Sequence, residues 1–104
     1  MINLVCRTNL DLANERWPKK LPAVPAVGDL IRSCVKHDGF QLMLEVVRVR
    51  WKDNYHDDPE RPAHSYTYWY PEIELGIPKE AYGSTTEFYE WYAPKVGRSV
   101  SDFI

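Results

Sequence analysis

No stretch of this chain approaches the roughly 18 consecutive apolar residues that a membrane-spanning helix needs, and no basic leader accompanies the short apolar run from Met1 to Arg7. Neither a membrane span nor an export signal is expected, and the chain reads as cytoplasmic. Cysteine is scarce too. Cys6 and Cys34 are the only two, too few for a disulfide-stapled scaffold, and without an export signal they read as reduced thiols packed in or near the core. The five glycines stand singly at 28, 39, 76, 83 and 97, so no glycine-rich loop can cradle a phosphate, and nucleotide hydrolysis is disfavoured. A basic excess is also lacking, with 13 Lys and Arg against 15 Asp and Glu and a net charge of −2. That balance argues against a dedicated nucleic-acid binder and leaves room only for a local cationic patch.

What the sequence has in excess is aromatic residues: four Trp, seven Tyr and three Phe in 104 residues. Aromatics bury large areas and also dominate binding surfaces, so the excess fits either a compensated small core or a recognition face. The length suits one domain, residues 1–104, and disfavours a multi-step enzyme. The 44% apolar share is too high for a disordered chain.

Ile2, Leu4 and Cys6 alternate with Asn3 and Arg7, predicting a first strand over 2–7. Leu10, Leu12, Ala13 and Trp17 suggest a helical turn within 9–17, ended by Pro18, after which Pro18, Pro22 and Pro25 predict an extended connection. A strand is expected over 30–36, then a tight turn at His37-Asp38-Gly39 with Gly39 at positive φ. The second arm, 40–51, carries Phe40, Leu42, Leu44 and Val46 in one phase and Val47, Val49 and Trp51 in the other. A β-bulge at Val46-Val47 would restore one continuous buried face and bend the strand. A polar loop follows over 52–64. Tyr66, Tyr68 and Tyr70 then alternate with Thr67 and Trp69, and Ile73, Leu75 and Ile77 with Glu72 and Glu74, predicting two short pieces of an edge strand that break at Pro71. Ser84-Thr85-Thr86-Glu87 is a capping box, opening a helix over 85–93 that presents Phe88, Trp91 and Tyr92 on one face. Phe103 and Ile104 imply that the tail docks or pairs as a strand.

The expected architecture is α+β and mostly β: a small antiparallel sheet of four to five strands, partly rolled into a barrel, with the C-terminal helix packed on it. The Val27-Gly28-Asp29 entry and the bent strand after it resemble the opening of SH3-like small barrels. The likeness covers a small part of the chain and carries no function.

His56, Asp57, Asp58 and His64, with His37 and Asp38, form the one cluster that suggests metal binding or acid–base work, but its spacing matches no zinc framework and a solvated loop explains it. Cys34 and His37, three apart, suggest a nucleophile pair with no identifiable orienting group. No metal or other cofactor is expected. Arg48, Arg50 and Lys52 alternate along the bent strand, and if Tyr66, Tyr68 and Tyr70 emerge on the same face, cations and rings make a binding surface. Tyr and Arg within a polar rim suit a protein partner best. A single-stranded nucleic acid stacked on the rings is the alternative, and a metal-dependent enzyme on the His56 loop a third reading. The leading expectation is a non-enzymatic binding module; small inhibitors and adaptors of phages and mobile elements share this size and composition.

Overall fold

The structure, a computed structural model, describes residues 1–37, 39–53 and 69–104, the Lys79 side chain excepted. The elements among them are β1 (Ile2–Asn3), β2 (Val5–Thr8), β3 (Lys20–Leu21), β4 (Leu30–Arg32), β5 (Met43–Asp53), β6 (Trp69–Gly76), α1 (Lys79–Tyr82) and α2 (Thr85–Lys95), with a 3₁₀ turn at Val100–Asp102. Four strands form one curled sheet, a half-barrel in the order β2-β6-β5-β4, while β1 and β3 pair separately. This is the mostly-β α+β architecture that the sequence predicts.

The phase switch on β5 is resolved by the expected bulge. Val46 pairs with Leu75 and Arg48 with Glu74, which leaves Val47 as the extra residue. Leu42, Leu44 and Val46 are buried before it and Val49 is half-buried after it, on one continuous inner face. Val47 does not join Val49 and Trp51, as the alternation suggested. It is exposed and lies over Gly76, where an added Cβ would meet its Cγ1 at 3.0 Å. Glycine at 76 is what leaves room for the bulged side chain.

The strand expected over 2–7 is broken at Leu4. Ile2 and Asn3 pair with Leu21 and Lys20, whereas Val5–Thr8 run parallel to Glu72–Leu75. One strand cannot follow two diverging partners, so the chain switches where Leu4 turns into the core at 4% exposure. Pro71 does not break β6, and β6 is not an edge strand but lies between β2 and β5. The proline is tolerated because β2 begins opposite Glu72, leaving Pro71 with a strand on one side alone.

No helical turn forms within 9–17. Asn14 adopts a left-handed φ of 57°, and the segment's donors go to α2 instead: the Asp11 N–H to the Tyr89 hydroxyl and the Ala13 N–H to the Tyr92 hydroxyl, each at 3.0 Å. The β4 strand ends at Arg32, short of the expected 36, and the turn after it closes with His37 and Phe40 exchanging backbone hydrogen bonds around Gly39 at φ 77°.

The capping signal starts α2 as expected. The Ser84 hydroxyl accepts from the Glu87 N–H at 3.2 Å and donates to the Glu87 carboxylate at 3.3 Å, so the carboxylate reaches the hydroxyl rather than the amide. The helix runs through Pro94 to Lys95. Phe88 and Tyr92 are fully buried, stacked at 5.4 Å, and complete the core with Ile31, Leu44, Val46, Ile73 and Leu75. The tail docks through Phe103, which stacks on Tyr89 at 5.2 Å.

Under α2 lies a polar knot. The Tyr92 hydroxyl donates to Glu15 Oε1 at 2.9 Å, and His37 Nε2 contacts the same oxygen; the Glu15 side chain is 1% exposed. Burial, then the neighbouring Glu15, pushes the Tyr92 hydroxyl far above the usual tyrosine range. The knot ties the irregular segment, the hairpin turn and the helix together. Tyr92→Phe, which strips both Glu15 Oε1 and the Ala13 N–H of a partner, is expected to cost about 1–3 kcal/mol in urea unfolding, and an unchanged midpoint would refute that role.

Candidate interaction surface

Past the bulge, β5 presents Arg48, Arg50 and Lys52 at alternate positions. The register sets them opposite Glu74, Glu72 and Tyr70 on β6, and β2 adds Arg7 opposite Glu74. Side chains at paired and alternate positions share a face, so Arg48, Arg50, Lys52 and Tyr70 lie on one side of the sheet. Tyr66 and Tyr68, the other two members of the expected ladder, fall outside the described residues, as do His56, Asp57, Asp58 and His64.

The centre of this face is Glu72, which the sequence places only as an alternate to Ile73 and Leu75. Its carboxylate receives Arg7 Nε at 3.0 Å, Lys52 Nζ at 3.0 Å and Arg50 Nη2 at 3.3 Å, while Arg48 Nε lies 3.6 Å from Glu74. Glu72 is only 3% exposed although it belongs to the outer face, because its cover is cationic side chains rather than a protein layer. Burial by itself would raise its pKa. The close ion pair with Lys52, then the charges of Arg7 and Arg50, outweigh that and hold the carboxyl below its ordinary value. Four cations thus sit over two carboxylates, so each cation has a carboxylate within reach while the face as a whole stays cationic.

The opposite side of the same two strands differs from expectation at Trp51. The alternation put this ring on the buried face; the face is right, but the ring is 56% exposed, and Trp69 is 62% exposed. Trp51 pairs with Pro71 and Asp53 with Trp69, so the two indoles project from one side as diagonal neighbours. The reason for their exposure is topological. β4 reaches only Met43–Glu45 on β5, and β2 only Glu72–Leu75 on β6, so 51–53 and 69–71 form a two-stranded extension with no third strand beside it among the described residues. The sequence signal for it is a large aromatic on either side of the polar stretch expected over 52–64.

The remaining candidates separate. His37 Nε2 is committed to Glu15, and Cys34 instead shares a groove lining with Cys6, both thiols free. Among the described residues no group of three His, Cys, Asp or Glu is arranged to hold a metal ion, and no helix is long and apolar enough to cross a membrane.

Compared with known proteins, the chain matches no family model, no curated protein and no solved structure.

The lowered pKa of Glu72 has a defined sign. A carboxyl held below its unfolded value contributes stability above about pH 4.3, the ordinary glutamate value, and loses that contribution as pH falls through the folded pKa. Glu72→Gln is therefore expected to be less stable than the wild type at neutral pH and to converge with it in acid. Because the three cations are 44–65% exposed, added salt should narrow the gap. Urea melts across pH and ionic strength check this; a gap that persists unchanged in acid would contradict it.

Proposed function

We propose that this chain is a small non-enzymatic binding module, of the inhibitor or adaptor kind, that engages a protein partner through the β5–β6 extension. Trp51 and Trp69 are the anchors, and Arg48, Arg50, Lys52 and Tyr70 on the reverse face supply a polar flank. The observation that carries this reading is the pair of tryptophans more than half exposed on one side of a strand pair that, among the described residues, no other strand supports. Indoles left in water cost free energy that a partner's apolar pocket recovers, and tryptophan is the residue type most enriched at interface hot spots. The cations support a protein over a single-stranded nucleic acid, since phosphates would have to compete with Glu72 and Glu74 for guanidinium groups that already have partners.

The double variant Trp51→Ser/Trp69→Ser tests the proposal, because neither ring belongs to the core and unfolding stability should stay within about 0.5 kcal/mol of the wild type. The immobilised wild-type protein is expected to retain a discrete protein from host lysate, and the purified partner should bind the double variant at least about tenfold more weakly. Equal affinity for both forms would overturn the reading. Tight, steeply salt-dependent binding to single-stranded oligonucleotides that survives the double substitution would replace it with the nucleic-acid alternative. Arg50→Glu is not a clean probe, since it would set a second carboxylate beside the buried Glu72.

A further inference from the structure

A second surface stands apart from the tryptophan extension. Where Leu4 switches partners, β2 and the segment 16–20 diverge and leave an open groove of about 950 Å³ lined by Leu4, Val5, Cys6, Trp17, Pro18 and Cys34 among others. Its walls are fixed by hydrogen bonds: the Leu4 N–H donates to the Lys19 carbonyl at 3.0 Å, the Cys34 N–H to the Arg16 carbonyl at 2.6 Å and the Cys6 thiol to the Pro18 carbonyl at 3.5 Å. The lining is mostly apolar, yet the side chains of Arg16, Lys19 and Lys20 border it, all exposed and, among the described residues, without a carboxylate partner. That separates them from Arg7, Arg48, Arg50 and Lys52, which are paired. One wall, β2, is also an end strand of the four-stranded sheet.

We infer that this groove docks an extended acidic peptide segment carrying an apolar anchor residue, contributed by a protein partner. Each part of the occupant answers a feature of the site. The apolar lining takes the anchor, the three unmatched cations take carboxylates spaced along the segment, and the open edge of β2 suits an extended backbone. A single-headed fatty carboxylate would engage one cation and leave its chain in an open groove. A nucleic-acid backbone would satisfy the cations and leave the apolar lining wet. The site does not depend on the tryptophan extension and would stand if that surface proved inert.

Cys34 supplies a reporter inside the groove. It is exposed, while burial and, secondarily, Cys34 itself push the Cys6 thiol up to about 11, so Cys34 is the thiol that alkylates first. The probe is a short fluorescein-labelled peptide alternating glutamate and leucine, read by anisotropy, with iodoacetamide labelling of Cys34 followed in parallel. Binding is expected to weaken with salt, to slow Cys34 alkylation at saturation, and to fall at least about tenfold in Lys19→Glu/Lys20→Glu, whose altered side chains are exposed. Trp51→Ser/Trp69→Ser should bind the peptide as the wild type does. No binding, equal binding of a matched lysine–leucine peptide, or Cys34 alkylation unaffected by saturating peptide would each overturn the proposal. Decanoate protecting Cys34 where the peptide does not would overturn it in favour of a lipid.

Discussion

One surplus residue on β5 governs which side chains meet water. Without Val47 in a bulge, the period-two alternation of a strand would carry Val49 and Trp51 to the side where Arg48, Arg50 and Lys52 now stand, and the cations would face Phe88 and Tyr92. The bulge lets Leu44, Val46 and Val49 share an inner face and gives the sheet its curl. The close seat of Val47 over Gly76 belongs to the same device, since any side chain at 76 would press on the bulged residue. Core, cationic face and indole pair all inherit their orientation from this local irregularity.

The outer face then solves a problem that the bulge creates. Two strands, β2 and β5, bring Arg7, Arg48, Arg50 and Lys52 together across β6, and like charges at such spacing repel. Glu72 and Glu74 on the central strand interleave them, with Glu72 held by three cations at once. Exposed ion pairs are individually weak, so their consequence here is chiefly to relieve repulsion among the cations, on a face that stays positive because four cations share two carboxylates. By contrast, Arg16, Lys19 and Lys20 have no such partners among the described residues, which is why the two cationic regions of one acidic chain read so differently.

Two groups of aromatic residues among those described have different physical roles. On α2, Phe88, Tyr89 and Tyr92 fill the curl of the sheet, and the two tyrosine hydroxyls also satisfy backbone donors of a segment that has no strand or helix to pair with. This is how a chain so short closes its core while an irregular stretch runs across it. Trp51 and Trp69 lie beyond the reach of α2, β2 and β4, and there the same chemistry that builds the core becomes exposed surface.

Local pattern was enough to specify the elements whose physics is local. The capping box at Ser84 and Glu87, the positive-φ turn at Gly39, the half-barrel class and the bulge at Val46-Val47 follow from hydrogen-bond geometry or side-chain period within a few residues of one another, and so they are legible in sequence. The same holds for the shared face of Arg48, Arg50, Lys52 and Tyr70, which strand alternation places once a hairpin is assumed. Pairing partners far apart in the chain decided the rest: the parallel seating of β2 beside β6, the break at Leu4, the passage of β6 through Pro71, and the capture of the 9–17 segment by tyrosines some 78 residues away. Exposure of Trp51, burial of Glu72 and the groove beside Cys34 depend on where neighbouring strands stop, a property of the assembled sheet that no single segment encodes.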